Sequence, residues 1–267
     1  MHQGLSYRVA RALLRLLVRA TTRPAWTGTR RLPAEGGVLV AVNHLSFWDP
    51  VVIAYFVDEH GRSPRFLAKS ELFDVPVLGR ILRGAGQIPV RRASAAASRA
   101  GADADAAIRR GECVVVYPEG TLTFDPQLWP MRARTGTARI ALATGAPVIP
   151  MAQWGIQVIS PPWSKRIRPV PRHDVRVLAG DPVDLADLYG LPVGRSVLEE
   201  ATERIMAAIT GLLAELRGES PPETRWDPRT MGPEAARPAG RPADAGEERN
   251  PPTMNTASDG IAHEGLA

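Results

Sequence analysis

The chain has 267 residues, 44% of them apolar and 23% charged, and a formal net charge of +5. That length and balance suit one large globular domain or two small ones and exclude collagen-like and coiled-coil classes. The single cysteine, Cys113, cannot pair within the chain, which excludes a disulfide-stapled secreted fold.

In chain order, residues 5–20 read as a helix. At about 100° per residue, Arg8, Arg11, Arg15 and Arg19 fall on one stripe and most of the remaining surface is apolar. Such a helix either packs its apolar side on the domain or lies in a membrane interface with arginines toward the headgroups. Arginine interrupts this stretch at every turn, so it does not read as a signal peptide. Residues 1–23 are therefore assigned as an amphipathic membrane-interface helix.

Residues 24–217 form the body. Strands are expected at Val38–Val42, Phe66–Ala68, Gln87–Val90, Cys113–Tyr117, Val148–Trp154 and Val175–Leu178. Helices are expected at Val51–Val57, Val77–Arg83, Ala93–Arg109, Thr137–Thr144 and Val197–Leu216. This alternation implies a single α/β domain, a mostly parallel or mixed central sheet flanked by helices. The longest uncharged run, Ile140 to Ser164, carries Pro147, Pro150, Pro161 and Pro162, so it reads as a helix end, a turn and a buried strand, not a membrane span. Residues 218–267 hold eight prolines and six glycines without apolar periodicity and are expected to be a disordered tail. Residues 1–217 contain 28 basic and 19 acidic residues, a body suited to an anionic partner.

One histidine stands out. His44 is followed five positions later by Asp49 in Asn43-His44-Leu45-Ser46-Phe47-Trp48-Asp49-Pro50. No straight helix or strand puts residues five apart on one face, so the two meet only if the chain bends between them. The strand ending at Val42 and Pro50 at the start of a helix supply a bend. Two readings stand side by side. Asp49 either caps the new helix or accepts the Nδ1–H of His44 and leaves Nε2 free as a general base. No serine or cysteine is placed as a nucleophile, so the activated hydroxyl would be the substrate's.

Further blocks follow: Ala68-Lys69-Ser70-Glu71-Leu72-Phe73 with Pro76 and Gly79, then Gly86-Gln87-Ile88-Pro89-Val90-Arg91-Arg92, Tyr117-Pro118-Glu119-Gly120-Thr121, and Val148-Ile149-Pro150. In this order and spacing, over roughly residues 35–180, the chain resembles the glycerolipid acyltransferase family, and most closely its bacterial 1-acylglycerol-3-phosphate acyltransferases. The resemblance implies that His44 takes the proton of a lysophospholipid hydroxyl as it attacks an acyl thioester, while Asp49 orients the ring. It implies that Arg91 or Arg92 holds the substrate phosphate, with Lys69 as a further point charge. Glu119 would bind the glycerol or brace the site, and Gly120 and Thr121 complete that turn, although Pro-Glu-Gly also describes an ordinary strand-ending turn.

Where the family places an arginine after Glu-Gly-Thr, this chain has Leu122. Arg132 and Arg134 lie near enough in sequence to replace its charge, or else the acceptor is a different lysolipid or lipid-linked alcohol. The implied product is phosphatidic acid, and the implied partners are an anionic membrane surface, the lysophospholipid and acyl-CoA or acyl carrier protein, with no metal or other cofactor. The implied location is peripheral, on the cytoplasmic face of a cell membrane. Two rivals from other classes are a basic nucleic-acid-binding protein, suggested by a pI near 10.0, and a catalytically silent membrane-binding module. Against the first, the aromatics are not interleaved with the basic residues as a base-stacking platform needs.

Overall fold

A computed structural model describes residues 5–90, 94–164 and 166–231. The elements in chain order are α1 (Leu5–Thr21), β1 (Thr22–Thr27), β2 (Val38–Val42), α2 (Asp49–Glu59), β3 (Pro64–Lys69), α3 (Pro76–Gly84), β4 (Ile88–Val90) and α4 (Ser94–Arg109). They continue with β5 (Cys113–Val116), α5 (Gly136–Thr144), β6 (Val148–Trp154), α6 (Ile156–Ile159), β7 (His173–Ala179) and α7 (Arg195–Arg217).

The strands form one seven-stranded sheet in the order β1-β7-β6-β2-β5-β3-β4. From β6 to β4 neighbouring strands run parallel; β7 is antiparallel to β6 and parallel to β1. β2 reads Val-Leu-Val-Ala-Val and is buried throughout, as expected of a central strand covered on both faces. Its side chains alternate. Leu39 and Ala41 enter a core with α4, α5 and α7, whereas Val38, Val40 and Val42 pack with Val52, Ile53 and Phe56 of α2. The mixed α/β layer architecture is therefore as the alternation implies.

Three features depart from the sequence reading. The boundary at residue 23 falls inside β1, which pairs with β7 along its full length from Thr22 to Thr27. Thr-Arg-Pro-Ala-Trp-Thr has few apolar residues because β1 is an edge strand, and proline is tolerated at an edge. Three arginines of the α1 stripe turn toward the domain. Arg11 and Arg15 reach the Asp58 carboxylate at 2.7 and 3.2 Å, and Arg19 donates to the Tyr55 hydroxyl at 2.7 Å. Leu16 is left 67% exposed. Two acids at the end of α2, Asp58 and Glu59, are what turn the charged side inward.

The third departure is the tail. Residues 218–231 fold back on the domain: Arg225 reaches the Glu203 carboxylate at 2.6 Å, and the Trp226 carbonyl accepts the Arg132 N–H at 2.9 Å. Ion pairs and backbone bonds to a distant segment hold this stretch, and apolar periodicity carries no trace of them. Residues 232–267 lie outside the described residues. No helix among the described residues is long and apolar enough to cross a membrane.

Candidate active site

The site is built at the carboxyl ends of β2 and β5, adjacent parallel strands in register from Val38↔Cys113 to Ala41↔Val116. Open α/β sheets bind ligands at this edge. Residues 43–48 turn the chain from β2 into α2. Asn43 anchors the turn to β6: its side-chain amide exchanges bonds with the Gln153 backbone at 2.9 and 3.2 Å, and Gln153 Nε2 donates to the Asn43 carbonyl at 3.2 Å.

Within the turn, one carboxylate oxygen gathers three donors. Asp49 Oδ2 lies 2.8 Å from His44 Nδ1, 2.5 Å from the Leu45 N–H and 2.9 Å from the Ser46 N–H. Asp49 is completely buried. It is the first residue of α2, and its side chain points back into the turn, so it does not cap the helix. Burial pushes its carboxyl up from the usual range, while the imidazole and the two backbone N–H groups pull it back toward the ionised form. His44 keeps 16% of its side chain exposed, and Nε2 has no hydrogen-bond partner among the described residues. With Nδ1–H committed to a buried carboxylate, the lone pair of Nε2 faces outward, the tautomer a general base needs.

β5 supplies the opposite wall. The Tyr117 ring stacks on the imidazole, with centroids 4.0 Å apart and planes 17° from parallel. The turn closes through the Gly120 N–H to the Tyr117 carbonyl at 2.9 Å, with Gly120 at φ 72°, a backbone region glycine accepts without strain. Glu119 turns inward. Its two oxygens accept the backbone N–H of His44 at 3.0 Å and of Met131 at 2.9 Å. Of the two roles implied for it, the geometry is that of a brace. Burial pushes its carboxyl up to about 8, against the pull of those two N–H donors.

The remaining expected residues are spread more widely. Lys69 ends β3, exposed, and pairs with Val90 of β4. Arg91 and Arg92 lie outside the described residues. Thr121 is half-buried beside Gly120. Arg132 is held away from the turn by Asp227 at 3.1 Å, whereas the stem of Arg134 lies over Gly120, its Cδ 3.8 Å from where a Cβ would stand. Leu122 is 2% exposed and part of the interior.

A family model described as Acyltransferase matches residues 23–154, from β1 to the end of β6. A 1-acyl-sn-glycerol-3-phosphate acyltransferase of the Brassica napus chloroplast is 32% identical over 161 residues, 58% of this chain and 44% of that protein. Over these residues the chain is similar to glycerolipid acyltransferases. A Borreliella burgdorferi 1-acyl-sn-glycerol-3-phosphate acyltransferase is similar at 29% identity, over 47% of this chain and 48% of its own. The chain thus spans under half the length of these curated acyltransferases. The crystal structure of a Thermotoga maritima 1-acyl-sn-glycerophosphate (LPA) acyltransferase superposes with a TM-score of 0.56. It is 22% identical, with 82% of this chain and 86% of that one covered, and shares the fold.

Three features of this site escape a motif reading. Tyr117 opens the Tyr-Pro-Glu-Gly-Thr block with no role assigned to it by the sequence, yet it contacts the imidazole. Asn43 precedes the histidine with no hint of its Gln153 partner 110 positions away. A cavity of about 180 Å³, lined by Thr123, Phe124, Asp125, Leu128 and Trp163 among others, begins one hydrogen bond from the site, since the Thr123 N–H donates to the His44 carbonyl at 2.8 Å. Of the tryptophans, Trp129 and Trp154 clamp Arg217, 4.1 and 4.4 Å from its guanidinium carbon, and so pin the segment that carries Met131 and Arg134.

Proposed function

We propose that the protein transfers a fatty acyl group from an acyl thioester to the free hydroxyl of lysophosphatidic acid, forming phosphatidic acid. The observation that carries this reading is the 2.8 Å contact between His44 Nδ1 and the buried Asp49 carboxylate, with Nε2 turned outward. In the proposed reaction Nε2 removes the hydroxyl proton as the oxygen attacks the thioester carbonyl. Asp49 stabilises the resulting imidazolium, the role an aspartate plays in a serine-hydrolase triad. The tetrahedral oxyanion collapses, the carbon–sulfur bond breaks, and the thiolate leaves with the proton from Nε2. General-base help of this kind contributes about 10²- to 10⁴-fold.

Acyl-CoA or acyl carrier protein supplies the thioester, and the protein works peripherally at the cytoplasmic face of an anionic membrane. For the acceptor phosphate, Arg91, Arg92, Lys69 and Arg134 supply the charge; arginine's planar fork suits a phosphate dianion. The Leu122 observation favours a second acceptor reading. With a buried leucine where the family has arginine, the same chemistry would run on another lysolipid or a lipid-linked alcohol.

The test offers purified protein lysophosphatidic acid and a labelled acyl thioester, with liposomes, beside a panel of other lysolipids. Labelled phosphatidic acid from the wild type and its loss in a folded His44→Ala variant is the expected result. No product from any acceptor overturns acyl transfer, and product from a different acceptor only moves the assignment to the second reading.

A further inference from the structure

α3 sits on the domain by an unusual side. Its buried residue is Gly79, and a Cβ there would stand 2.0 Å from the Phe73 carbonyl oxygen, so the contact side has no room for a side chain. At about 100° per residue, Val77, Ile81 and Leu78 share an arc that faces away from Gly79. They are 69%, 52% and 38% exposed. Leu72 and Val75, just ahead of the helix, extend the same exposed apolar surface. A helix of a soluble domain normally turns its apolar stripe to the core; this one turns it outward.

Two more observations say what covers it. The helix contains two arginines, Arg80 and Arg83, and no acid. Arg83 donates to the Phe73 carbonyl at 2.7 Å, and Arg80 is exposed at the border of the apolar arc with no ion pair among the described residues. An apolar face with cations along its edge matches the depth profile of an anionic bilayer surface. Position matters as well. α3 packs against the turn that follows β3, and β3 runs parallel to β5 and through it to β2. The start of α3 and the His44 turn therefore share the carboxyl edge of the sheet. That edge also presents Phe47, 61% exposed and lying between His44 and Asp49.

We infer that the outward face of α3, with Phe47, is where an anionic lipid bilayer docks, so that the active-site turn opens at the membrane surface. The choice of lipid over protein rests on the acyl-transfer reading above. Docked this way, a lysolipid reaches His44 by its headgroup while its chain stays among the lipids. On α1, by contrast, Arg11, Arg15 and Arg19 each have a partner on the domain in Asp58, Tyr55 or Glu59.

The experiment is flotation of the full chain with vesicles of phosphatidylcholine, with and without phosphatidylglycerol, for wild type and the V77E/I81E variant. Both positions are exposed, so the variant should fold, and its circular dichroism and melting curve verify that. The expected result is co-flotation of wild type with the anionic vesicles and a loss of about tenfold or more in partitioning for V77E/I81E. Transfer to a monomeric, short-chain lysophosphatidic acid without vesicles should be unchanged in the variant. Equal flotation of variant and wild type, or no flotation of wild type, overturns the proposal. So does a wild-type dimer that V77E/I81E converts to monomer with vesicle binding intact, which would make the face a contact between copies. Flotation that depends on α3 without transfer to any acceptor would support the docking face and overturn the acyl-transfer reading, so the two fail separately.

Discussion

The imidazole of His44 lies flat against the ring of Tyr117, centroids 4.0 Å apart, and Phe66 continues the stack on Tyr117 at 6.4 Å. A ring held on one face by an aromatic and at one edge by a carboxylate has lost its freedom to rotate. An aromatic face also attracts a cation, by about 0.5–2 kcal/mol, so the stack favours the imidazolium formed as the proton is taken. Tyr117→Leu is expected to lower kcat about tenfold with little change in KM. Tyr117→Phe keeps the ring and should keep the rate. Its melting temperature should hold or rise, because the Tyr117 hydroxyl is buried with no hydrogen-bond partner in the described structure. Steady-state kinetics and a thermal melt read both effects; equal kcat for the leucine and phenylalanine variants would show that the stack is not used.

Asp49→Asn tests the charge separately from the shape. An amide oxygen can still accept from Leu45 and Ser46, so the turn should survive at a cost of about 1–3 kcal/mol. It carries no negative charge to set against the imidazolium, and kcat should fall by about 10² or more. Thermal unfolding beside single-turnover transfer separates the two effects. A variant with wild-type turnover would reduce Asp49 to a structural tie.

Glu119 predicts a pH dependence of stability. Its carboxyl rises from an ordinary 4.5 to about 8 in the folded chain, chiefly through burial. The folded state then holds a proton that the unfolded chain has released. The favourable contribution is fully present below the unfolded value and is lost as pH rises through the folded one. Melting temperature should therefore decline across that window in the wild type and less steeply in Glu119→Gln. At low pH, where Glu119 is itself the neutral acid, wild type and variant should differ least. Parallel slopes for both proteins would sink this account.

Restoring the family's arginine should not restore a ligand. Leu122 is 2% exposed, so Leu122→Arg buries a guanidinium without a partner at a cost of about 3 kcal/mol or more. A loss of melting temperature, with no gain in affinity for lysophosphatidic acid, is the expected outcome. Tighter substrate binding by a stable variant would contradict it.

Arg134 and Arg132 should separate in the same assay. Arg134 lies over Gly120 at the edge of the site, whereas Arg132 is paired with Asp227. Arg134→Ala should raise KM for lysophosphatidic acid about tenfold, the scale of one charge-assisted contact. It should leave an uncharged acceptor nearly unaffected, and Arg132→Ala should do little to either. Equal effects of the two substitutions would remove Arg134 from the phosphate site.

Much of this protein is legible from local pattern. The apolar runs at 38–42 and 148–154 coincide with β2 and β6, because a strand buried on both faces leaves a continuous apolar signature wherever it sits. The five-residue spacing of His44 and Asp49, read with the proline after it, specifies a bend and therefore a meeting. Those are statements about neighbours in sequence, and neighbours in sequence suffice for them. Which face each helix turns outward, what Glu119 holds and which arginine reaches the site are decided by partners far along the chain. α1 turns Arg11 inward because Asp58, 47 positions away, lies under it. Glu119 becomes a brace because Met131 and His44 converge on it from two segments. Tyr117 becomes part of the site because β2 and β5 are side by side. Periodicity and spacing record how a segment is built; only the packed tertiary structure, where burial and hydrogen bonding compete between distant segments, decides what each side chain meets.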